Sequence, residues 1–228
     1  VDCGLYQGPK ELRQKNWEPF PISPGSIDAV VITHAHIDHC GYLPKLVREG
    51  FSGPVYATAN TVKMAAIVLR DAAKLQTEDA NYAKKKGYSS HKDPQPLYTF
   101  EDTELALMKF KPTNFHTKIE VADGVSVTFH RSGHILGSSF VEVEVDGKRS
   151  IFSGDLGRPT HPILHAPDSL PAGHIDALIC ESTYGDREHP VASTTLLEAV
   201  NKTIQRGGSV LIPAFAVDRT EIILMKIK

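Results

Sequence analysis

Thr33-His34-Ala35-His36-Ile37-Asp38-His39-Cys40-Gly41 is the stretch from which the rest of the chain is read. Four metal-capable side chains fall within six consecutive positions, directly after the apolar run at residues 27–32. Three imidazoles and a carboxylate in one turn repel protons and disturb packing unless something binds them. A cation answers both problems, because neutral imidazole nitrogen and carboxylate oxygen each suit zinc. A solvated, low-complexity histidine tract would share the composition. This segment, however, is internal and non-repetitive, and it lies between a strand pattern and a helix pattern.

The composition frames that reading. At 228 residues the chain can bury a full core, and 41% hydrophobic and 23% charged residues are the proportions of an ordinary globular protein. No apolar run approaches a membrane span, and no signal peptide opens the chain. Cys3, Cys40 and Cys180 are widely spaced and odd in number, which argues against a disulfide framework and for a reducing cytoplasm. Cys40 and Cys180 read as small buried residues. A formal net charge of −2 gives no global basic field, so any nucleic-acid contact has to come from local patches. The ends look cut: residues 1–4 read as the close of a strand and 218–228 as a helix without a final cap. The chain is therefore expected to be a fragment of something larger.

In order, residues 5–26 read as loop with one helical turn, and 27–32 as a buried strand with the histidine run at its C-terminal end. A helix at 43–49 and a strand at 54–58 follow. Asn60 is the expected N-cap of a long helix over 61–86 that Gly87 ends, 88–98 is loop, and 100–110 returns to helix. Strands are expected at 119–121, 125–130, 140–145, 148–153 and 176–180, with Asp123-Gly124 and Asp146-Gly147 as hairpin turns. Alternation over 140–145 marks a sheet exposed on one face. A helix at 196–206 and a strand at 209–212 close the pattern.

The other polar residues of interest each follow a strand. His134 sits in Ser132-Gly133-His134-Ile135-Leu136-Gly137-Ser138, Asp155 in Ser153-Gly154-Asp155-Leu156-Gly157-Arg158, and Glu181 directly after the strand at 176–180. Glycines beside His134 and Asp155 allow tight turns and close approach of a ligand. Together with the histidine run, these residues suggest one shared site.

With its order of motifs, His34-x-His36-x-Asp38-His39, then His134, then Asp155, the chain resembles the metallo-β-lactamase superfamily. Asp2 resembles the family's earliest motif, an aspartate that supports the ligand loop. Cys180-Glu181-Ser182-Thr183-Tyr184-Gly185-Asp186-Arg187 resembles the acidic motif of the β-CASP branch, with Glu181 in the key place, and 207–219 resembles the opening of that branch's inserted cap. The resemblance implies an α/β fold, an αββα sandwich of two mixed sheets. Residues 1–190 would be the catalytic domain and 191–228 the start of a cap. It also implies that His34, His36 and His134 hold one Zn2+, that Asp38 and His39 hold a second, and that Asp155 bridges them. Glu181 would pair with a histidine acid that no residue of this chain matches, and the branch's last metal-ligand histidine is likewise unmatched. Two such metals, about 3.5–4 Å apart, lower the pKa of a shared water and clamp both oxygens of a phosphodiester displacement. Asp38 would also orient the attacking group.

The reading that follows is a zinc-dependent ribonuclease acting on RNA, single-stranded rather than double-stranded, in the cytoplasm, with no membrane contact and with homo-oligomer formation left open. Its rivals are a small-substrate hydrolase, such as a glyoxalase-like thioesterase or lactonase, and an inactive scaffold subunit of an RNA-processing complex. The cap-like stretch at 181–219 speaks against the first. The full set of ligands up to Asp155 speaks against the second.

Overall fold

The structure, a computed structural model, describes residues 1–87, 93–188 and 195–227. Three strands, β1 (Val30–Val31), β2 (Val55–Thr58) and β3 (Phe110–Thr113), form a parallel sheet in the order β1-β2-β3. Five more, β4 (Ile119–Ala122), β5 (Val125–Arg131), β6 (Ser139–Val145), β7 (Lys148–Phe152) and β8 (Ala177–Ile179), form a second sheet in sequence order. That sheet is antiparallel except for the parallel pair β7–β8, so it is mixed while the first is wholly parallel.

Burial explains why the strand at β1 reads as an unbroken apolar run. Val30 and Ile32 pack into a cluster with Leu43, Leu46, Ala65, Leu69 and Ala106 on the helical side. Val31 turns the other way, onto Val127, Phe129 and Val141 of the second sheet. A parallel strand covered on both faces has no position for a polar residue. The second sheet packs Val127, Phe129 and Val141 on its inner face, and its outer face is covered only at one end, where Phe140 is buried against His130. Its outer side carries Glu142, paired with Arg149 at 2.6 Å, and Glu144, paired with Lys118 at 2.8 Å. The one-sided exposure that the alternation in β6 predicts is therefore met only toward the end of the strand that carries Glu144.

Helix α1 (Lys10–Gln14) comes first, on the surface; α2 (Ile37–Cys40), α3 (Leu43–Arg48), α4 (Ala59–Lys86) and α5 (Phe100–Leu107) cover the first sheet, and α6 (Leu196–Gln205) and α7 (Arg219–Ile227) come later in the chain. Gly87 ends α4 in the left-handed conformation, φ 67°, as its position predicts. The N-cap is Thr58, not Asn60. The Thr58 hydroxyl accepts from the Thr61 N–H, and the Thr58 and Thr61 hydroxyls both donate to the Gly137 carbonyl, at 2.7 and 2.8 Å. The start of α4 therefore anchors the loop that carries His134.

Other expectations are corrected. The helix at 100–110 stops at Leu107, and Phe110–Thr113 instead pairs with β2. Pro112 fits there because β3 is an edge strand, where a missing N–H costs no ladder bond. The strand expected at 209–212 does not form. Among the described residues no strand lies beside it, and Leu211 is 94% exposed. Residues 1–4 form no regular strand either, although the Asp2 N–H donates to the Val31 carbonyl at 2.8 Å. Cys180 is exposed rather than buried, while Cys40 is fully buried. Part of the loop at 88–98 and the boundary near residue 191 lie outside the described residues. No described helix is long and apolar enough to cross a membrane.

Candidate metal centre

Since β5 and β6 are antiparallel, β6 and β7 antiparallel, and β7 and β8 parallel, strands β5, β7 and β8 point the same way. Their C-terminal ends open on one edge, and the loops there carry His134, Asp155 and Glu181. The start of β6 is tied to the end of β1, because both the N–H and the hydroxyl of Ser139 donate to the Thr33 carbonyl, at 2.9 and 2.8 Å. The turn after β7 is tied to the one after β5 by Gly157 N–H to Ser132 carbonyl at 2.8 Å.

These ties bring four of the expected ligands together. One ligand atom from each of His34, His36, His134 and Asp155 lies within 4.8 Å of the other three. His36 Nδ1 is the hub, 3.0 Å from His34 Nε2 and 3.1 Å from His134 Nε2. Asp155 reaches His134 Nε2 at 3.3 Å and His34 Nε2 at 3.7 Å through one oxygen, and His39 Nε2 at 3.2 Å through the other. Asp38 stands at the rim, half exposed and 3.9 Å from His39 Nε2. His39 thus joins the group through Asp155, and Asp38 joins it through His39.

Asp2 sets the orientation of this array. One oxygen accepts the Thr33 N–H at 2.8 Å; the other accepts the Thr33 hydroxyl at 2.9 Å and lies 2.7 Å from His39 Nδ1. A carboxylate only accepts, so His39 carries its shared proton on Nδ1 and turns Nε2 toward Asp155. Because the Thr33 hydroxyl spends its hydrogen on Asp2, its contact with His34 Nδ1 at 3.0 Å requires an N–H on the histidine. His34 therefore turns a bare Nε2 inward. One carboxylate orients two imidazoles, one directly and one through a threonine, as carboxylates do behind metal-bound histidines.

Charge completes the test of fit. Burial, then the neighbouring histidines, holds the His34 pKa far below its usual value. Burial likewise lowers His36 and His134. Three uncharged imidazoles suit a metal, which binds only the neutral ring. His39 goes the other way. Burial opposes its charge, but hydrogen bonds to Asp155 and Asp2 outweigh burial and raise its pKa to about 10. Asp155 is held low, chiefly by its hydrogen bond to His39. Asp2, Asp38 and Asp155 together call for positive charge, and a proton on His39 supplies some of it. The donor set suits a bound cation.

Glu181 lies beside the same turn. One of its oxygens accepts the Leu156 N–H at 2.8 Å, and its own N–H donates to the Ser153 hydroxyl at 2.9 Å. It clasps the segment that presents Asp155.

Sequence reasoning missed Thr33 and the close approach at Gly4 and Gly157. A methyl group on Gly4 would fall 1.5 Å from the Asp38 carbonyl oxygen, and one on Gly157 would fall 1.8 Å from that of Gly133. Glycine at these points was visible; the backbone that it would meet was not. Gly157→Ala pushes apart the turns holding Asp155 and His134. It should lower unfolding stability by roughly 3 kcal/mol, the upper end for an overpacked site, as read by denaturant titration of the full-length protein. Unchanged stability would mean that the two turns do not pack as described.

Two further clusters explain themselves without a cation. His116 Nε2 lies 2.7 Å from Asp168, which also accepts the Arg131 N–H at 2.7 Å, and His130 faces Glu142 at 3.3 Å. Arg131 and Arg149 lie against those carboxylates and balance their charge. His161 Nδ1 accepts the Ile163 and Leu164 N–H groups, which leaves its Nε2–H for Asp218 at 3.0 Å. That bond ties the loop after Asp155 to the segment before α7.

Comparison with known proteins agrees with this architecture. Residues 1–166 match the family described as metallo-beta-lactamase superfamily domain. The chain is 41% identical over 227 residues to the ribonuclease TTHA0252 of Thermus thermophilus, covering 98% of this chain and 48% of that protein. It is 30% identical over 232 residues to the transcription termination factor FttA of Methanocaldococcus jannaschii, covering 99% and 34%. It is 29% identical over 229 residues to the Integrator complex subunit 11 of Danio rerio, covering 97% and 36%. The chain thus spans about half or less of the length of these relatives. On the match over residues 1–166 and the relatives that share nearly all of its length, the chain belongs to the metallo-β-lactamase superfamily and to its β-CASP branch.

Proposed function

We propose that the protein of which this chain is part is a zinc-dependent ribonuclease that hydrolyses phosphodiester bonds of single-stranded RNA. The observation that carries the reading is the convergence of three neutral imidazoles on Asp155, with Asp2 fixing the orientation of His34 and His39. The relative named a ribonuclease, at 41% identity over nearly the whole chain, supports the substrate class. Three free cysteines suit a reducing cytoplasm. Residues 191–228 would open the cap domain.

His34, His36 and His134 would hold one zinc, Asp38 and His39 a second, and Asp155 both. Bound there, two zincs lower the pKa of water and neutralise charge on a phosphoryl group. The chain's own groups do the rest. Asp2 holds both rings so that Nε2 of His34 and Nε2 of His39 face inward, and the second gives up its proton when a metal binds. Asp38, at the exposed rim, would also orient the attacking water. Glu181 keeps the Asp155 turn closed by holding the Leu156 N–H, and its carboxylate is the candidate partner for a histidine acid from outside these residues.

The direct test is metal analysis of the full-length protein together with cleavage assays on single-stranded RNA, double-stranded RNA and DNA. About two zincs per chain and preferential cleavage of single-stranded RNA are expected. Bound zinc with hydrolysis of a thioester or lactone, and none of RNA, would favour a small-substrate hydrolase. Bound zinc with no hydrolysis of any kind would favour a scaffold.

The metal sides should also respond differently to pH. A cation beside His39 must displace a proton whose pKa is raised to about 10, so its affinity falls as pH drops below that value. His34, His36 and His134 are already neutral and present no such competition. Chelator-competition titrations from pH 9 to pH 6 should weaken one of the two metals much more than the other. Parallel weakening of both would contradict the assignment.

A further inference from the structure

The metal loop has a second side. An open groove of about 810 Å3 runs from Ile37, which sits between His36 and Asp38, along the segment at 5–17. Tyr6, Lys10, Arg13 and Trp17 line it, with Asp79 as its acidic residue. Tyr6 is 48% exposed and Trp17, the one tryptophan of the chain, 60%.

Two exposed aromatic rings would be unremarkable on a loose loop, but this loop is held rigidly. Asn16 is buried and makes a reciprocal pair with Tyr6: the Tyr6 N–H donates to Asn16 Oδ1 and Asn16 Nδ2 donates to the Tyr6 carbonyl, both at 2.9 Å. Lys45, itself 3% exposed, donates to the Asn16 carbonyl at 2.9 Å and the Glu18 carbonyl at 2.7 Å. A buried ammonium thus grips the backbone on both sides of Trp17 and leaves the indole outside. Burying a charge is costly unless it is fully paired. The indole stays mostly exposed, so folding gains little from burying it. What the arrangement yields is a tryptophan preset on the groove that Tyr6 also lines.

We propose that Tyr6 and Trp17 form a stacking platform for bases of the single-stranded RNA that enters or leaves the metal centre, with Lys10 and Arg13 on its phosphates. This rests on the ribonuclease reading and adds the strand's path to it. Aromatic faces accept any base, and cations spaced along a groove follow the backbone, which is how sequence-tolerant single-strand binding works. Lys15, 5.7 Å from the Tyr6 ring centre, adds positive charge next to that ring.

The test uses the full-length protein and two substrates: a single-stranded oligoribonucleotide, and bis(4-nitrophenyl) phosphate, which has no bases to stack. Trp17→Ala should raise KM for the RNA roughly tenfold, with kcat for RNA and turnover of the small diester within about twofold of the parent. Trp17→Phe should recover most of the loss. Lys10→Gln with Arg13→Gln should reduce the slope of log affinity against log salt by about 1.4, at about 0.7 per lost phosphate contact on a single strand. RNA cleavage with an unchanged KM in both variants overturns the platform. So does equal loss on both substrates, since that marks a disturbed metal loop. If the parent hydrolyses the small diester but no RNA, the ribonuclease reading itself fails.

Discussion

In the full-length protein His36→Ala should abolish RNA cleavage, lowering the rate by roughly a thousandfold or more while the fold persists. His36 Nδ1 is the atom toward which both His34 and His134 turn, at 3.0 and 3.1 Å. Removing it takes one of three nitrogens from the imidazole side of the centre, and that side then holds a cation poorly. A bound metal supplies several kcal/mol of transition-state stabilisation, and each 1.36 kcal/mol is tenfold in rate. The ring is only partly buried, so its loss should leave the melting temperature of the metal-free protein nearly unchanged. Asp155→Asn keeps the side chain's size while removing the charge that faces His34, His39 and His134, and should fall as far. Zinc content by atomic spectroscopy should drop in both variants along with cleavage. A His36→Ala protein that still cleaves RNA at the parent rate would remove the centre from the mechanism.

How much of this was legible before the structure depends on the range of the interaction concerned. The histidine run was legible because its ligands are crowded into one turn after an unbroken apolar strand. His134 and Asp155 were legible through glycine-flanked turns after strands. Both signals are local. Thr33 was not legible, because a threonine at the end of a strand looks like any other; its role exists only through Asp2, thirty-one residues earlier. The strand at 110–113 was not legible at the end of the helical pattern over 100–110, since what makes Phe110–Thr113 a strand is the open edge of β2. The strand expected at 209–212 failed for the converse reason. Its residues favour extended backbone, but no described strand offers them hydrogen bonds. The rigid seat of Trp17 was the least legible, because it depends on Lys45 reaching back across 29 residues to the Asn16 carbonyl. A lysine in a short helix gives no hint that it is buried.

Asp2 is where the orientation argument can be put at greatest risk. Its φ of 59° lies in the left-handed region, which asparagine tolerates as well as aspartate does, so Asp2→Asn leaves the backbone unstrained. The amide cannot accept at both positions, however. Either the Thr33 N–H or the pair formed by the Thr33 hydroxyl and His39 Nδ1 would face an NH2 group instead of an oxygen. Loss of such an orienting partner lowers metal affinity or activity by about 10- to 100-fold. A generally loosened loop would do the same, and pH separates the two causes. Asp2 is one of the groups that raise the His39 pKa to about 10, so in the variant that proton leaves at lower pH and competes less with a metal. The parent's advantage should therefore be largest near pH 9 and shrink as pH falls toward 6, where the parent pays more for displacing its proton. Zinc affinities measured across that range should converge at the acid end. A constant ratio at every pH would reduce Asp2 to a loop anchor and leave the orientation of His39 to Asp155 alone.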